Sequence, residues 1–486
     1  MSSDAWGSAA AFTSSALGSD GVQVLEVDGV ERIGHLYELR VRFSHRKGPL
    51  TAAELDALCL QPCSLTIGDG QAINGIARSV ETLSATGAKA IYDVFLVPTL
   101  WLLSVSKLSR LYQKMDVKGM AADVLGRYGL MAFADLRLDG AVPRDFAVQY
   151  QESDWDYLQR WFEHEGYFYW FEHSSSGEKL VVADDNSKTT PISGNSTMPY
   201  RDLAGLRRDE ESVFDWRCTT CRIPANVVLK DYNELKPLLP MVGHSVVDAK
   251  RGFGVVFEYG DNFDTPTAGN ALAKKRAERI QTERFTVRAT TDSPRFHVGH
   301  SFELDEHFDD AQNGKYLVTA IRHRVGLFAD GDDEKDGRKT MGYRAEFEAI
   351  PLSQQFRTER KTPWPSIHGL MHGHIDSGSE GKFSTLDDKA RYRVRFPFDT
   401  TGQTGETCST WVRMAQHYAG SSYGSHFPLH KGTEVLLAFY DGDPDRPVIM
   451  GSVSNALTPA PSAGANATQS RMKTASGIHI TMDDQV

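Results

Sequence analysis

The sequence predicts a mainly β protein with some α, of the α+β class, divided into several domains. Three observations carry that expectation. Apolar and polar residues alternate with a period of two in many short runs, as they must when successive strand side chains point to opposite faces. Gly, Pro, Asn and Asp clusters punctuate those runs, the pattern of small barrels and sandwiches. The chain has 486 residues, 40% of them hydrophobic, enough for roughly three domains with real cores.

The first twenty residues, MSSDAWGSAAAFTSSALGSD, are rich in Ser, Ala and Gly and read as a flexible tail. They lack the basic region and apolar core of a signal peptide. Strands are predicted at Val22–Val27, His35–Phe43, Gln61–Ile67 and Ile73–Leu83, with Asn74-Gly75 available for a turn or bulge. Ala90–Leu103 begins as a further strand. The longest apolar run, Val94–Val105, is interrupted by Pro98, Thr99 and Ser104. It falls short of the ~20 apolar residues that cross a bilayer and reads as buried core.

Two helices stand out against this background. In Asp116–Gly129, Val117, Met120, Ala121, Val124, Leu125 and Tyr128 share one face, Asp116 can cap the start and Gly129 suits the end. In Ser153–Gly166, Ser153 caps, Trp155, Leu158, Trp161 and Phe162 make an aromatic stripe, and Gly166 stops the helix. Tyr167–Phe171 continues as a strand. Positions 175–210 are polar and read as a long loop, after which strands resume at Val227–Asp231.

Thr267–Arg284 is a third helix, starting after Pro266, with Lys274, Lys275, Arg276 and Arg279 on a basic face that is either solvated or meets an acidic partner. Strands follow at Phe285–Thr290, Tyr316–Val325 and Tyr343–Ala349. The acidic run Ala329–Gly337 between the last two reads as an exposed turn. Pro351 and Thr362-Pro-Trp-Pro365 mark a linker.

Beyond the linker, Tyr392, Val394 and Phe396 alternate with Arg391, Arg393 and Arg395. Trp411–Gln416, Glu434–Tyr440 and Pro447–Met450 are further runs of the same kind, predicting a small closed barrel or sandwich. Between the last two lies Asp441-Gly-Asp-Pro-Asp-Arg446, where Gly442 can take a positive φ, Pro444 fixes its own, and the Asp side chains can cap local N–H groups. After Asn455 a Pro/Ala/Ser linker leads to Met472–Met482, a strand–turn–strand.

Several residues invite chemistry, and each has a plainer reading. Cys59, Cys63, Cys218, Cys221 and Cys408 are an odd count, and Cys218-Thr-Thr-Cys221 has no second pair at zinc spacing. Ordinary thiols of a reducing compartment are the simpler reading. His164-Glu165 is half of a zincin motif, but Phe168 stands where the second histidine is needed. Trp155, Trp161, Phe168 and Trp170 could form a carbohydrate platform, yet their spacing is that of core. His368, His372 and His374 could bind a metal but lack an evident fourth ligand. A net charge of −11 disfavours nucleic acid, and Arg391–Arg395 has no aromatic platform on its basic side.

Certain blocks also carry a family resemblance. Arg391–Asp399, Thr410–Gln416, Ala419-Gly420, Gly432–Val435 and Gly442–Pro447 resemble the oligomer-binding-fold (OB) domain of VgrG proteins, the spikes of type VI secretion systems, related to contractile phage tail hubs. Gly34–Ser44, Ala90–Leu103, Gln149–Trp155 and Arg160…Gly166 resemble the family's N-terminal half, in the family's order. The resemblance implies a tail over 1–20, a phage-hub-like β-barrel region with inserted helices over 21–355, and a linker over 356–367. An OB-fold spike base over 368–455 and the start of a trimeric β-helix needle over 456–486 follow.

Structural motif roles fall to Trp411, Arg413, Gly432, Glu434, Gly442, Asp443, Pro444, Asp445, Arg446 and Pro447, and to Glu152, Ser153, Arg160, Glu163 and Gly166. Ile478 and Ile480 would face the threefold axis of the needle.

The implied function is a non-enzymatic homotrimeric spike that punctures envelopes and carries effectors, without cofactor or metal. Its implied partners are an Hcp-type tube ring below, a PAAR-type tip above and effector or adaptor cargo, with transient contact with a target membrane and no nucleic acid. It would assemble in the cytoplasm and be secreted by its own machine without a signal peptide. The sequence shows at most the first turn of a needle and no appended effector domain within these 486 residues. The competing readings are a metal-dependent hydrolase using His164, His368, His372 or His374, and a carbohydrate- or nucleic-acid-binding module.

Overall fold

A computed structural model describes residues 9–17, 21–86, 89–202, 210–329 and 339–485. The chain divides into two compact units, Met1–Ser106 with Val117–Ala141 and Asp154–Thr362, and Lys107–Asp116 with Val142–Ser153 and Pro363–Val486. The backbone therefore leaves the first unit twice before residue 154 to lay down the two strands of a ribbon that belongs to the second.

In the first unit the dominant element is a large, mostly antiparallel sheet. Its strands run in the order Ala10–Ser14, Pro62–Ile67, Ile73–Thr86, Lys89–Val97, Glu38–His45, Val22–Arg32, Gly314–Ala329, Lys339–Pro351, Phe285–Thr291 and Val213–Thr220. His300–Asp305 pairs on Gly314–Ala329 and carries the short strands Thr190–Pro191 and Thr197–Pro199 in parallel. A three-stranded sheet joins Phe168–Ser174, Gly177–Ala183 and Ala134–Arg137. Trp170, Phe168, Phe296, Phe302 and Phe347 are buried together in the main core, so the aromatic cluster predicted to be core is core. Trp155 and Trp161 are buried as well.

The strands and helices expected in the first unit are present, several of them longer than their alternation showed. Tyr316–Val325 extends to Gly314–Ala329, and Tyr343–Ala349 to Lys339–Pro351. These two long strands pair with each other along their length, and that pairing carries them past the alternating segment. Most of the acidic run between them, and residues 1–8 and 18–20 of the expected tail, lie outside the described residues.

Helix α1 (Ala52–Leu60) was not predicted. Thr51 and Glu54 form a reciprocal capping box at its start: the Glu54 N–H donates to Thr51 Oγ1 and the Thr51 N–H to Glu54 Oε2. Helices α2 (Val117–Arg127) and α3 (Asp154–Glu165) match expectation. Both end as their glycines require: Gly129 and Gly166 take φ of 69° and 68°. The N–H groups of Leu130 and Tyr167 return to the carbonyls of Leu125 and Phe162, both at 2.8 Å. Helix α4 (Pro266–Gln281) starts at Pro266 behind a Thr265 cap and packs on the sheet of Met241–Val246, Asn226–Asp231 and Val255–Tyr259.

Three expectations need correction. Residues 10–14, placed in the flexible tail, form an edge strand in register with Cys63–Ile67, with Phe12 buried and stacked 5.7 Å from Phe43. The loop expected over 175–210 contains Gly177–Ala183, a strand whose Leu180, Val181, Val182 and Ala183 are buried. The basic face of α4 is solvated at Lys274, whose side chain is 73% exposed, but its other three cations are paired within the chain. Arg276 is buried on Asp261 at 3.0 Å, Lys275 meets Glu165 at 3.1 Å, and Arg279 meets Glu283 and Glu359.

Candidate functional site: a small barrel, its ribbon and its terminal hairpin

The second unit is built on four antiparallel strands in the order Arg393–Arg395, Met371–Asp376, Glu434–Phe439 and Pro447–Ser452. The run Trp411–Gln416, predicted as a strand, closes the circle through single bridges. Val412 pairs with Tyr392 on one side and Met414 with Ile449 on the other. Switching partners after two residues keeps it from becoming a regular strand, and it makes the barrel small and closed. Ile375, Tyr392, Val394, Val435, Leu437 and Ile449 fill it.

The ribbon Lys107–Met115 and Arg144–Ser153 is antiparallel and contributes Leu111, Phe146 and Val148 to the same core. Phe146 stacks on Phe396 at 6.2 Å, and Tyr150 meets Phe398 edge-on at 5.1 Å. The turn after Phe439 takes the predicted geometry. Gly442 has φ of 78°, and a Cβ there would lie 2.2 Å from Ser366 Oγ. Its carbonyl accepts the Ile367 N–H at 2.8 Å. Asp443 Oδ1 accepts the Asp445 N–H at 2.9 Å and the Trp364 indole N–H at 3.3 Å. Asp445 Oδ1 in turn accepts the Val148 N–H at 2.6 Å, and Pro444 and Pro447 are buried.

Other motif residues have equally local work. Arg413 lies over the Tyr440 ring and donates to its hydroxyl at 2.6 Å, while Arg446 approaches the same ring. Trp411 carries the Arg393 guanidinium 4.5 Å from its ring centre. Gly432 takes φ of 82° and donates to the Ile375 carbonyl at 2.8 Å. Glu434 holds Asn455 at 2.7 Å. Arg391 is paired with Asp387, so part of the basic run is neutralised within the chain.

In the first unit, Glu163 is buried and clamps the chain as it leaves. Its Oε2 accepts the N–H groups of Lys361 and Thr362, both at 2.9 Å, and its Oε1 the Thr362 hydroxyl at 2.8 Å. Arg160 is buried against the rings of Tyr157 and Trp161. Glu152 and Ser153 are buried at the end of the ribbon, in the second unit.

His164 is buried as an ion-pair partner near the end of its helix. Its Nε2 faces the Asp261 carbonyl at 3.1 Å, and Asp261 is also bound by Arg276 and Arg360. Burial alone would raise the Asp261 carboxyl, but the His164 ring and the two guanidiniums hold it well below the usual carboxylate range.

His372 and His374 lie on one strand with ring centres 6.4 Å apart, and His374 lines an open recess of about 210 Å³ with Arg395, Asp399 and Gln403. Cys218 and Cys221 are free and exposed, and the Cys218 thiol donates to Gln312 Oε1.

The last described element is an antiparallel hairpin of Gln469–Lys473 with His479–Asp483. It is the strand–turn–strand expected over Met472–Met482, its two strands paired with each other. What stays open is their side chains: Ile478, Ile480 and Met482 are 72%, 59% and 59% exposed.

Residues 30–327 match the phage tail baseplate hub (GPD) family, and residues 383–453 match the type VI secretion system/phage-baseplate injector OB domain. Together with the closed barrel, these define a hub-and-spike protein of the contractile-tail class. The type VI secretion system spike protein VgrG1a of Pseudomonas aeruginosa is 30% identical over 471 residues, 95% of this chain and 72% of its own length. VgrG1c of the same organism is 30% identical over 473 residues, covering 95% of this chain and 64% of the relative. The chain thus spans somewhat under two thirds of VgrG1c. A solved Escherichia coli protein described as a component of the type VI secretion system, with similarity to the T4 tail proteins gp27 and gp5, superposes with a TM-score of 0.65. It is 20% identical, and the match covers 91% of this chain and 99% of that one. The chain belongs to the VgrG family of type VI secretion spike proteins.

One cluster of side chains able to act as ligands has no counterpart in the sequence analysis. Glu31, His297 and His323 are buried, and their ligand-capable atoms lie within 4.8 Å of one another. They come from positions separated by 266 and 292 residues, and no local motif connects them.

Proposed function

We propose that the chain is the structural spike of a contractile injection machine, working as a homotrimer and performing no catalysis of its own. The observation that carries this is the terminal hairpin. Its second strand is exposed from end to end, and Ile480 and Met482 within it and Ile478 just before it are open to solvent. A two-stranded hairpin is marginal in water on its own. Three copies that wrap such strands together would cover the apolar face and remove free edges, giving the stiffness a puncturing tip needs. Family membership supports the same reading.

In this reading the hub-like unit stacks on an Hcp-type ring, a PAAR-type protein caps the tip, and effector or adaptor cargo rides on the assembly. The protein would assemble in the cytoplasm and leave through its own machine, touching the target membrane only as it passes. The site residues of the barrel and of the Glu152–Gly166 block then serve shape, not chemistry.

The test compares two variants for mass in solution and for export from cells. Ile478→Asp with Ile480→Asp gathers like charges where three chains would converge and should abolish the trimer. His368→Ala with His372→Ala and His374→Ala should leave both trimer and export intact. Loss of export by the histidine variant, with normal assembly of the isoleucine variant, would overturn the proposal.

A further inference from the structure

Three adjacent strands of the large sheet place polar side chains on one buried face. Gly29 pairs with His323, so Glu31, two residues on, shares the face of His323. His323 pairs with Ala345, and Tyr343, two residues away, faces the same side. His297 enters from the segment before His300–Asp305. Glu31 Oε1 accepts from His297 Nδ1 at 3.1 Å and from His323 Nε2 at 3.0 Å. On its far side, His323 Nδ1 is 2.7 Å from the Tyr343 hydroxyl.

This is a costly arrangement for a core. Glu31 and His323 are each only 1% exposed, and a carboxylate removed from water needs compensating charge. Two further nitrogens add to the cost. His297 Nε2 and His173 Nε2 are buried without a hydrogen-bond partner among the described residues. The His173 ring lies 6.1 Å from that of His297, and its Nδ1 accepts the Asn74 N–H at 3.2 Å. Burial pushes the His173 imidazole down to about 3, so it is neutral at physiological pH. With Nδ1 an acceptor, its Nε2 carries the proton and is a donor held next to the cluster.

We propose that Glu31, His297 and His323 form a buried site for one divalent metal ion of the zinc type. Two imidazole nitrogens and one carboxylate oxygen are a zinc donor set, bound at about 2.0–2.2 Å and so separated from each other by about 3.3 Å in a tetrahedral site. The two nitrogens are already 3.0 and 3.1 Å from the shared oxygen, and all three donor atoms lie within 4.8 Å of one another, so they converge on one point between them.

Each ring would move its proton from the metal-facing nitrogen to the other one. Nδ1–H of His323 would then donate to the Tyr343 oxygen, the outer hydrogen bond that orients ligating imidazoles. The fourth position is open to a water, and His173 Nε2–H is the donor placed beside the cluster to receive its oxygen. The ion would tie the strands Val22–Arg32 and Gly314–Ala329 to the segment that bears His297, at the centre of the hub-like unit.

The test uses the full chain without a histidine tag, stripped with a chelator and then exposed to excess Zn²⁺ or Co²⁺ before gel filtration. The expected result is one metal ion per chain by elemental analysis, a Co²⁺ absorption spectrum of tetrahedral intensity, and a higher melting temperature with Zn²⁺ than without. His297→Ala with His323→Ala should lose the metal. His368→Ala with His372→Ala and His374→Ala should retain it, and Tyr343→Phe should weaken binding by about 10-fold. Folded unmutated protein that keeps less than about a tenth of an equivalent would overturn the proposal. So would retention of the metal by the His297/His323 variant with loss from the His368/His372/His374 variant. The measurement on the unmutated chain decides the question even where a variant fails to fold.

Discussion

Asp445 Oδ1 accepts the backbone N–H of Val148 at 2.6 Å, across 297 positions of sequence. One carboxylate thus fastens the ribbon to the barrel turn in the second unit, beside the shared core of Phe146, Val148 and Phe396. Hydrogen bonds to charged groups contribute about 1.5–3 kcal/mol. Asp445→Ala should lower the stability of this unit by about that amount, and Asp445→Asn by less, since its amide oxygen can still accept. Chemical denaturation followed through the ribbon would show the difference; equal stability of all three proteins would remove the role.

Gly442 carries the sharpest steric prediction. Its φ of 78° and the 2.2 Å approach of a Cβ to Ser366 Oγ leave no room for a side chain. Gly442→Val should cost more than the ~0.5 kcal/mol of an ordinary surface change. Ser377, buried at 2% exposure, is unsuitable as a control. Exposed Thr385 serves, and equal melting shifts for Gly442→Val and Thr385→Ala would refute the turn's importance.

These two sites differ in how far the sequence exposed them. The Gly442 turn was legible because its determinants are consecutive: a glycine, a proline and capping carboxylates within six residues. The contact of Asp445 with Val148 was not, because a turn residue says nothing about which distant N–H it will meet. Helix α1 was missed although Thr51 and Glu54 spelled out its cap, since nine residues without an apolar stripe give little period to detect. Gly177–Ala183 was hidden by the polar residues around it, while Leu180–Ala183 is too short a run to separate strand from loop by pattern alone. The buried Glu31, His297 and His323 illustrate the harder limit: sheet register assembles them, and register is a property of the whole fold.

Glu163 anchors the chain at Lys361 and Thr362 through both carboxylate oxygens. Glu163→Ala should raise hydrogen exchange at those two amides and cost about 1–3 kcal/mol. Mass-detected exchange of a peptide covering 359–365 reads it directly, and unchanged protection there would contradict the clamp.

Acid should loosen the pairing of α4 with Asp261. The folded carboxyl of Asp261 lies below its unfolded value, so the unfolded state binds the proton more readily. Its contribution is therefore complete above about pH 4 and is lost as pH falls further, toward the folded value. Melting temperature measured from pH 6 down to pH 2 should fall more steeply for the unmutated chain than for Asp261→Asn. Parallel curves would show that the network of His164, Arg276 and Arg360 adds nothing to acid sensitivity.

The central claim is that this chain works as a trimer whose terminal strands close on one another, with an interface on the order of 2,000–5,000 Å² or more. The most direct measurement is the mass of the purified chain in solution, by light scattering at micromolar concentration. The account predicts a particle of three 53.9 kDa chains that does not dissociate on dilution through that range. A stable particle of a single chain would contradict it.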